Sequence, residues 1–379
     1  MEKNLNKEIE YVGIDMENRW NSYVYLKSND EILKFANEYF ARRDSRVLFV
    51  MGCGFDPRMN NVLSQIASQK VFKKILCLLI EFPSNEKTPQ DILYAENKSD
   101  FEDLCRQFGV SVKKISDDHP RYIEKRIVII SRQLRDINCD EYSDIIIYVS
   151  ALPRALYFNV CNFFYKQCED NCTNLFFSVS ENVEIDNNIY NIAGDEIHPI
   201  HGFGLNYMLE SNLDKRSVLI PLLGENHEQE LAKIYDNFKP VDVCPVLPFP
   251  SVNPRRSEDI LITHMEFFKR IEIDEPQNYT YADERNPFEL YSIISDLIKN
   301  YKKTLAPITQ CVCFGIATLT SKLLSLGALL TGLENSKEIS FYTSSPVSYQ
   351  VKNLETLKTL NKNSQSYMMW ITGEAYADK

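Results

Sequence analysis

The sequence predicts an α/β fold: a Rossmann-like, doubly wound, mostly parallel sheet, extended or doubled by the C-terminal half. Three observations carry this. Segments of strand length, most of them apolar, recur through the first half, at 46–51, 75–80, 110–115, 144–150 and 175–179. Segments of helical spacing separate them. The runs are nearly continuous rather than alternating, as expected for strands buried on both faces of a parallel sheet. The chain has 379 residues, 44% of them hydrophobic, enough for one large domain or two ordinary ones.

Taken in order, the first 45 residues read as a helical lead-in. Asn29-Asp30 caps a helix carrying Ile32, Leu33, Phe35, Ala36, Tyr39 and Phe40. The first strand, Arg46–Met51, runs into Gly52-Cys53-Gly54-Phe55-Asp56-Pro57-Arg58 and a helix over 60–69. A strand at 75–80, a helix at 101–108 stopped by Gly109, and a strand at 110–115 follow. A basic helix at 123–134 leads to a strand at 144–150, an aromatic helix and a strand at 175–179.

The second section changes character. Residues 186–217, with Gly194, His198, Pro199, His201, Gly202 and Gly204, read as loop and turns. A strand at 218–224 precedes a helix opened by Glu225, Asn226 and His227. Three prolines mark 243–250 as an edge or extended segment. Helices at 259–269 and 288–301 flank an exposed connection at 271–285. The α/β pattern then returns, with strands at 309–315 and 339–342 around a small-residue helix at 323–333. The expected division is a ligand-binding section with its lead-in, 1–185, and a second α/β section, 186–379. Nothing between them reads as a linker, so they are free to share one sheet.

Charge and composition exclude several classes. Lys and Arg number 42 against 53 Asp and Glu, a net charge of −11. That argues against a broad nucleic-acid surface or an anionic-membrane binder. No apolar run has the length of a membrane span, and the polar N-terminus does not read as a signal peptide, so a cytoplasmic protein is expected. The ten cysteines are scattered, several within strands, as buried thiols in a reducing compartment would be. Cys168 and Cys172 have no second pair at zinc spacing, and no metal is expected. His198 and His201 share one loop, read as surface rather than as a base or metal pair.

Ligands of such folds bind outside the carboxyl ends of the strands, and polar residues collect there. The first strand exits into Gly52, Gly54, Asp56 and Arg58, the second into Glu81, and the third into Asp117 and Asp118. The fourth exits into Ser150 and Arg154, the fifth into Glu181. Glycine permits unusual backbone angles and close approach of a ligand, and a following helix start favours an anion. The competing reading is a structural strand–turn–helix, with Asp56 and Arg58 pairing or capping. Arg255-Arg256 after Pro254 is an anion candidate or an interdomain ion pair.

Two resemblances rest on these motifs. The glycine turn with Asp56 and Arg58 resembles motif I of class I methyltransferases, in particular the leucine-carboxyl-methyltransferase-like branch, with Pro57 where that branch has Thr. It implies S-adenosylmethionine, with Glu81 on the ribose, Asp117 near the adenine and Arg58 on a carboxylate tail. The segment 309–345 is similar to the ligand loop of CRISPR-associated Rossmann-fold sensors. It implies Thr318, Thr320, Ser321 and Lys322 around a nucleotide phosphate. The residues expected to bind are therefore Gly52, Gly54, Asp56, Arg58, Glu81, Asp117, Arg154, Thr320 and Lys322; no catalytic residue is identified. The expected function is binding of a nucleotide or nucleoside derivative by a sensor or accessory component of a bacterial stress or phage-defence pathway. A protein partner or a second copy would complete it. The alternative is an S-adenosylmethionine-dependent methyltransferase.

Overall fold

In the computed structural model, described for residues 18–42, 44–81, 88–116, 123–171, 173–204, 215–272, 279–309 and 311–377, the strands form two separate sheets. The first section contains β1 (Val24–Leu26), α1 (Asn29–Glu38), β2 (Arg46–Cys53), α2 (Asn61–Ser68), β3 (Lys74–Glu81), α3 (Pro89–Phe108) and β4 (Ser111–Ser116). It continues with α4 (Ile123–Leu134), β5 (Asp144–Tyr148), α5 (Arg154–Asn171), β6 (Asn174–Glu181) and α6 (Val183–Asp186). Then come β7 (Ile189–Pro199), β8 (Lys215–Leu222), α7 (Glu228–Phe238), β9 (Asp242–Val243), β10 (Val246–Pro248), α8 (Arg256–Arg270) and β11 (Thr280–Ala282). The chain ends with α9 (Pro287–Leu305), β12 (Cys311–Thr318), α10 (Lys322–Glu334), β13 (Ile339–Val351), α11 (Leu354–Asn361) and β14 (Gln365–Thr372).

Local chemistry sets the helix ends. Ser28 caps α1 by accepting from Glu31 N, Asn286 caps α9 ahead of Pro287, and Ser321 caps α10. Thr88 and Asp91 form a capping box on α3, which stops at Gly109 in a left-handed conformation, φ 68°. Leu323–Leu333 of α10 is buried throughout, so this helix is wrapped by protein on every side rather than amphipathic.

The first sheet has the order β1-β14-β6-β5-β2-β3-β4 and the second β11-β10-β8-β12-β13-β7, with β9 also on β8. The run β4-β3-β2-β5-β6 is parallel, and so is β11-β10-β8-β12-β13. In order of occurrence both read third, second, first, fourth, fifth. Each has an antiparallel strand beside its fifth member, β14 beside β6 and β7 beside β13. One topology is thus used twice, without a repeat in the sequence. The antiparallel strands also tie the sections together: β14 follows the second set but completes the first sheet.

Several elements differ from the sequence reading. Residues 189–199 are strand β7 rather than loop, held by antiparallel pairing to β13. The segment 243–250 is not an edge: β10 pairs with both β8 and β11. Its prolines are tolerated because Pro245 falls in the break between β9 and β10 and Pro248 ends β10. Part of the expected connection at 271–285 is β11. The short β1 and the C-terminal β14 had no counterpart in the sequence reading. Among the described residues no helix is long and apolar enough to cross a membrane.

Candidate functional site

Each parallel set reverses strand order between its first and fourth strands, at β2/β5 and at β8/β12. Crevices at the carboxyl ends of such reversals are where α/β folds place ligands. At β2/β5 the exit loop of β5 packs directly against Gly52. Gly52 and Gly54 are not among the positive-φ glycines. A Cβ on Gly52 would lie 2.7 Å from Ala151 O and 2.7 Å from Leu152 Cδ2. This glycine is therefore required by the exit loop of β5, which lies against it. At Gly54 the nearest atom is Ala151 O at 3.4 Å, an ordinary contact. Gly224, just after β8, repeats the first case, with Leu319 O at 2.2 Å from its would-be Cβ.

Asp56 caps a 3₁₀ turn, Pro57–Asn60, by accepting from Arg58 N at 2.9 Å. The Arg58 guanidinium returns to the same carboxylate, Nε to Oδ1 at 2.9 Å and Nη2 to Oδ2 at 2.8 Å. It also meets Asp186 Oδ1 at 2.8 Å. Of the roles open to Arg58, the structure displays pairing, with a second carboxylate that the sequence did not indicate. Side-chain exposure is 5% for Arg58, 13% for Asp56 and 46% for Asp186. Burial acts to raise the Asp56 pKa, but the Arg58 charge overrides it and holds the carboxyl below its usual range. The Tyr148 hydroxyl donates to Arg58 O at 2.5 Å and lies 2.8 Å from Ser180 Oγ, fixing the turn over β5 and β6.

The second sheet enters this site through the exit loop of β12. Lys322, the first residue of α10, donates to Val149 O at 3.3 Å and to Ser150 O. Burial pushes its pKa down to about 8, against the pull of Asp56. Glu181, at the end of β6, accepts from Leu323 N at 2.9 Å, a favourable place for a carboxylate at a helix start. Burial, then the Asp186 charge, pushes Glu181 up to about 7 despite Arg58 and Lys322. Arg154 opens α5 and donates to Thr318 O and, at 2.5 Å, to Thr320 O. The Thr318 hydroxyl is buried with no hydrogen-bond partner in the structure.

The structure thus brings together Gly52, Asp56, Arg58, Arg154, Thr320 and Lys322 from the expected set. Thr320 is present through its carbonyl and Arg154 through contacts to backbone, not through a free charge. Glu81 stands apart, at the end of β3, with Lys98 Nζ at 2.9 Å and Lys114 Nζ at 3.7 Å. Asp117 and Asp118 lie outside the described residues. Sequence reasoning missed Asp186 and Tyr148. The acidic turn Val183–Asp186, capped by Asn182, was a legible helix start, but its contact with Arg58 is long-range.

No family model matches the chain, and no match was found among curated proteins. Among solved structures it is similar to a protein described as a universal stress protein from Pseudomonas aeruginosa UCBPP-PA14 (12% identity, 84% of this chain and 98% of that one, TM-score 0.22). It is also similar to a functionally unknown protein from Pseudomonas aeruginosa PAO1 (12%, 84% and 96%, TM-score 0.21). A third is the cytoplasmic domain of a prokaryotic cation chloride cotransporter (12%, 80% and 96%, TM-score 0.23). Scores this low carry no argument about function, and the α/β assignment stands on the strand order itself.

Proposed function

We propose that the chain binds a nucleotide or nucleoside derivative where the exit loop of β12 meets the carboxyl ends of β2, β5 and β6. One observation carries this reading: ionisable groups from both sheets converge at a strand-order reversal, with Glu181 pushed up to about 7 and Lys322 down to about 8. Perturbed groups gathered at such a place mark candidate sites. Lys322 and the buried Thr318 hydroxyl supply donors for phosphate or ribose oxygens, with Arg58 holding the Asp56 and Asp186 carboxylates beside them. Because both sheets contribute, a ligand can alter how the exit loops hold each other. That favours a sensor or accessory role over catalysis; its setting in a cytoplasmic stress or phage-defence pathway rests on the sequence resemblance alone and is part of the proposal. The division into 1–185 and 186–379 and the wider set of binding residues belong to this proposal.

A second reading is an S-adenosylmethionine-dependent methyltransferase. It is favoured by Glu81, a carboxylate at the end of β3 directly beside Cys53 of β2. The Ala151 carbonyl against Gly52, and the two lysines on Glu81, weigh against it. A thermal-shift panel of nucleotides, dinucleotides and S-adenosylmethionine tests both, because a ligand at 100 times its dissociation constant stabilises by about 2.7 kcal/mol. A shift with nucleotides supports the first reading and one with S-adenosylmethionine alone the second. No shift with any of them counts against both.

A further inference from the structure

Cys311 and Cys313 both lie in β12, two residues apart and therefore on one face of the strand. Their sulfurs are 3.8 Å apart, and neither is in a disulfide. Neighbours on one face of an extended strand stand about 6.7 Å apart at Cα, so the two side chains lean towards each other. The backbone is paired here on one side: Cys311 and Cys313 stand opposite Lys215 and Ser217 of β8, whereas pairing with β13 starts at Phe314.

The surroundings set how far solvent reaches. The next residue on that face, Gly315, lies under the Phe238 ring at the end of α7, whose Cε1 is 2.8 Å from where a Cβ would be. Exposure increases from there towards the start of the strand. Cys313 is 7% exposed, and Cys311 is half-buried. Ser217, beside Cys313, is half-buried too, and its hydroxyl donates to Lys239 O at 3.3 Å. The pair therefore sits where a covered face meets solvent, with Cys311 the outer thiol. Strand cysteines were expected to be buried, and Cys311 departs from that.

We propose that Cys311 and Cys313 form a two-thiolate site for a soft divalent metal ion of the zinc group, with water in its remaining positions. Two sulfurs bound at about 2.3 Å to one tetrahedral ion lie about 3.8 Å apart, which is the separation already present. A disulfide would need the two Cβ atoms within about 4.5 Å, closer than same-face neighbours of an extended strand stand. Thiolate is also a ligand type that selects such ions, where carboxylate and water suit magnesium and calcium. Binding forms two metal–sulfur bonds and breaks two S–H bonds, the protons passing to solvent, so no oxidant or reductant takes part. Structural zinc has four protein ligands; two thiolates with a solvent-facing side make a site for an exchangeable ion. It lies at the amino end of β12, away from the exit loop where a nucleotide is proposed to bind, so the two proposals stand independently.

The test is titration of the reduced full chain with cadmium ion, a zinc-group probe whose thiolate complexes absorb in the ultraviolet, followed by competition with zinc. Wild type, Cys311→Ser, Cys313→Ser and the double variant are compared, with Cys244→Ser as the control. The expected result in wild type is a thiolate band that zinc abolishes, with release of up to about two protons per ion. Each single variant should bind at least about tenfold more weakly, since even groups one step removed from a metal are worth that much. The double variant should lose no more than either single one, and Cys244→Ser should bind like wild type. Zinc should also slow alkylation of Cys311, read by mass spectrometry, in wild type but not in Cys313→Ser. A double variant that keeps the band at wild-type affinity, or a Cys311→Ser protein that binds like wild type, overturns the proposal. Should Cys313→Ser fail to fold, Cys311→Ser decides alone, because its position is half-buried at the start of the strand.

Discussion

Arg154 and Lys322 hold each other's strand exits. Each opens the helix after the fourth parallel strand of its own sheet, and each donates to carbonyl oxygens in the other's exit loop. A cation at a helix N-terminus is unfavourable by a few tenths to about 1 kcal/mol. Two such residues, in equivalent positions, are accounted for by the carbonyls they satisfy across the junction.

Arg154→Gln leaves the Thr318 and Thr320 carbonyls short of a donor and should cost about 2 kcal/mol. Lys322→Met should cost less, about 1 kcal/mol, because it also removes a buried ammonium. The two changes should couple by at least about 0.5 kcal/mol in a double-mutant cycle. Urea unfolding of the four proteins measures this, and strict additivity would mean that the two clamps act independently.

Arg58→Gln should lower the stability of the unliganded protein by about 3–5 kcal/mol, since it strands the buried Asp56 carboxylate. Asp186→Asn, at a half-exposed position, should change it by about 1 kcal/mol or less. Melting curves of both variants decide between pairing and a ligand clamp. An Arg58→Gln protein that melts like wild type but binds poorly would restore the clamp.

Gly52→Ala forces a methyl into the Ala151 carbonyl and should destabilise by about 1–3 kcal/mol, as overpacking does. Gly54→Ala meets only an ordinary contact and should be close to neutral. The difference separates a glycine kept for the neighbouring loop from one kept for a ligand, and denaturant midpoints report it.

The pH profile follows from Glu181 and Lys322. Glu181 has a folded-state pKa raised to about 7, so between its unfolded value and about 7 the folded state holds more protons. Stability should therefore fall as pH rises through that window. Lys322, lowered to about 8, has the opposite sign, and its contribution rises from about 8 towards its unfolded value. Glu181→Gln should flatten the lower limb and leave the upper one in place. A lower limb unchanged in that variant removes Glu181 as its cause.

Four strands of the first parallel set were legible because both faces are buried, as in Val47–Met51 and Ile145–Tyr148, apolar without alternation; β4, at the edge, is polar and mostly exposed, with Ile115 its one buried residue. The second sheet was harder. Gly194 and Pro199 read as loop signals, yet β7 is held by β13, which lies far along the chain. Pro245 and Pro248 suggested an edge, but they fall at the ends of short segments where a missing N–H costs little. At the site, residue types were legible and their partners were not. Gly52 was chosen for the Ala151 carbonyl, and Arg58 reaches Asp186 across the sheet end, contacts that no local pattern encodes.

The central claim is that the junction at β2, β5, β6 and β12 binds a nucleotide or nucleoside derivative. Isothermal calorimetry with ATP, NAD and S-adenosylmethionine, on wild type and Glu181→Gln and Lys322→Met variants, tests it most directly. The account predicts saturable binding of at least one nucleotide, weakened at least tenfold by Lys322→Met and altered by Glu181→Gln. Heats that never saturate with any of these compounds, or binding indifferent to both junction variants, would contradict it.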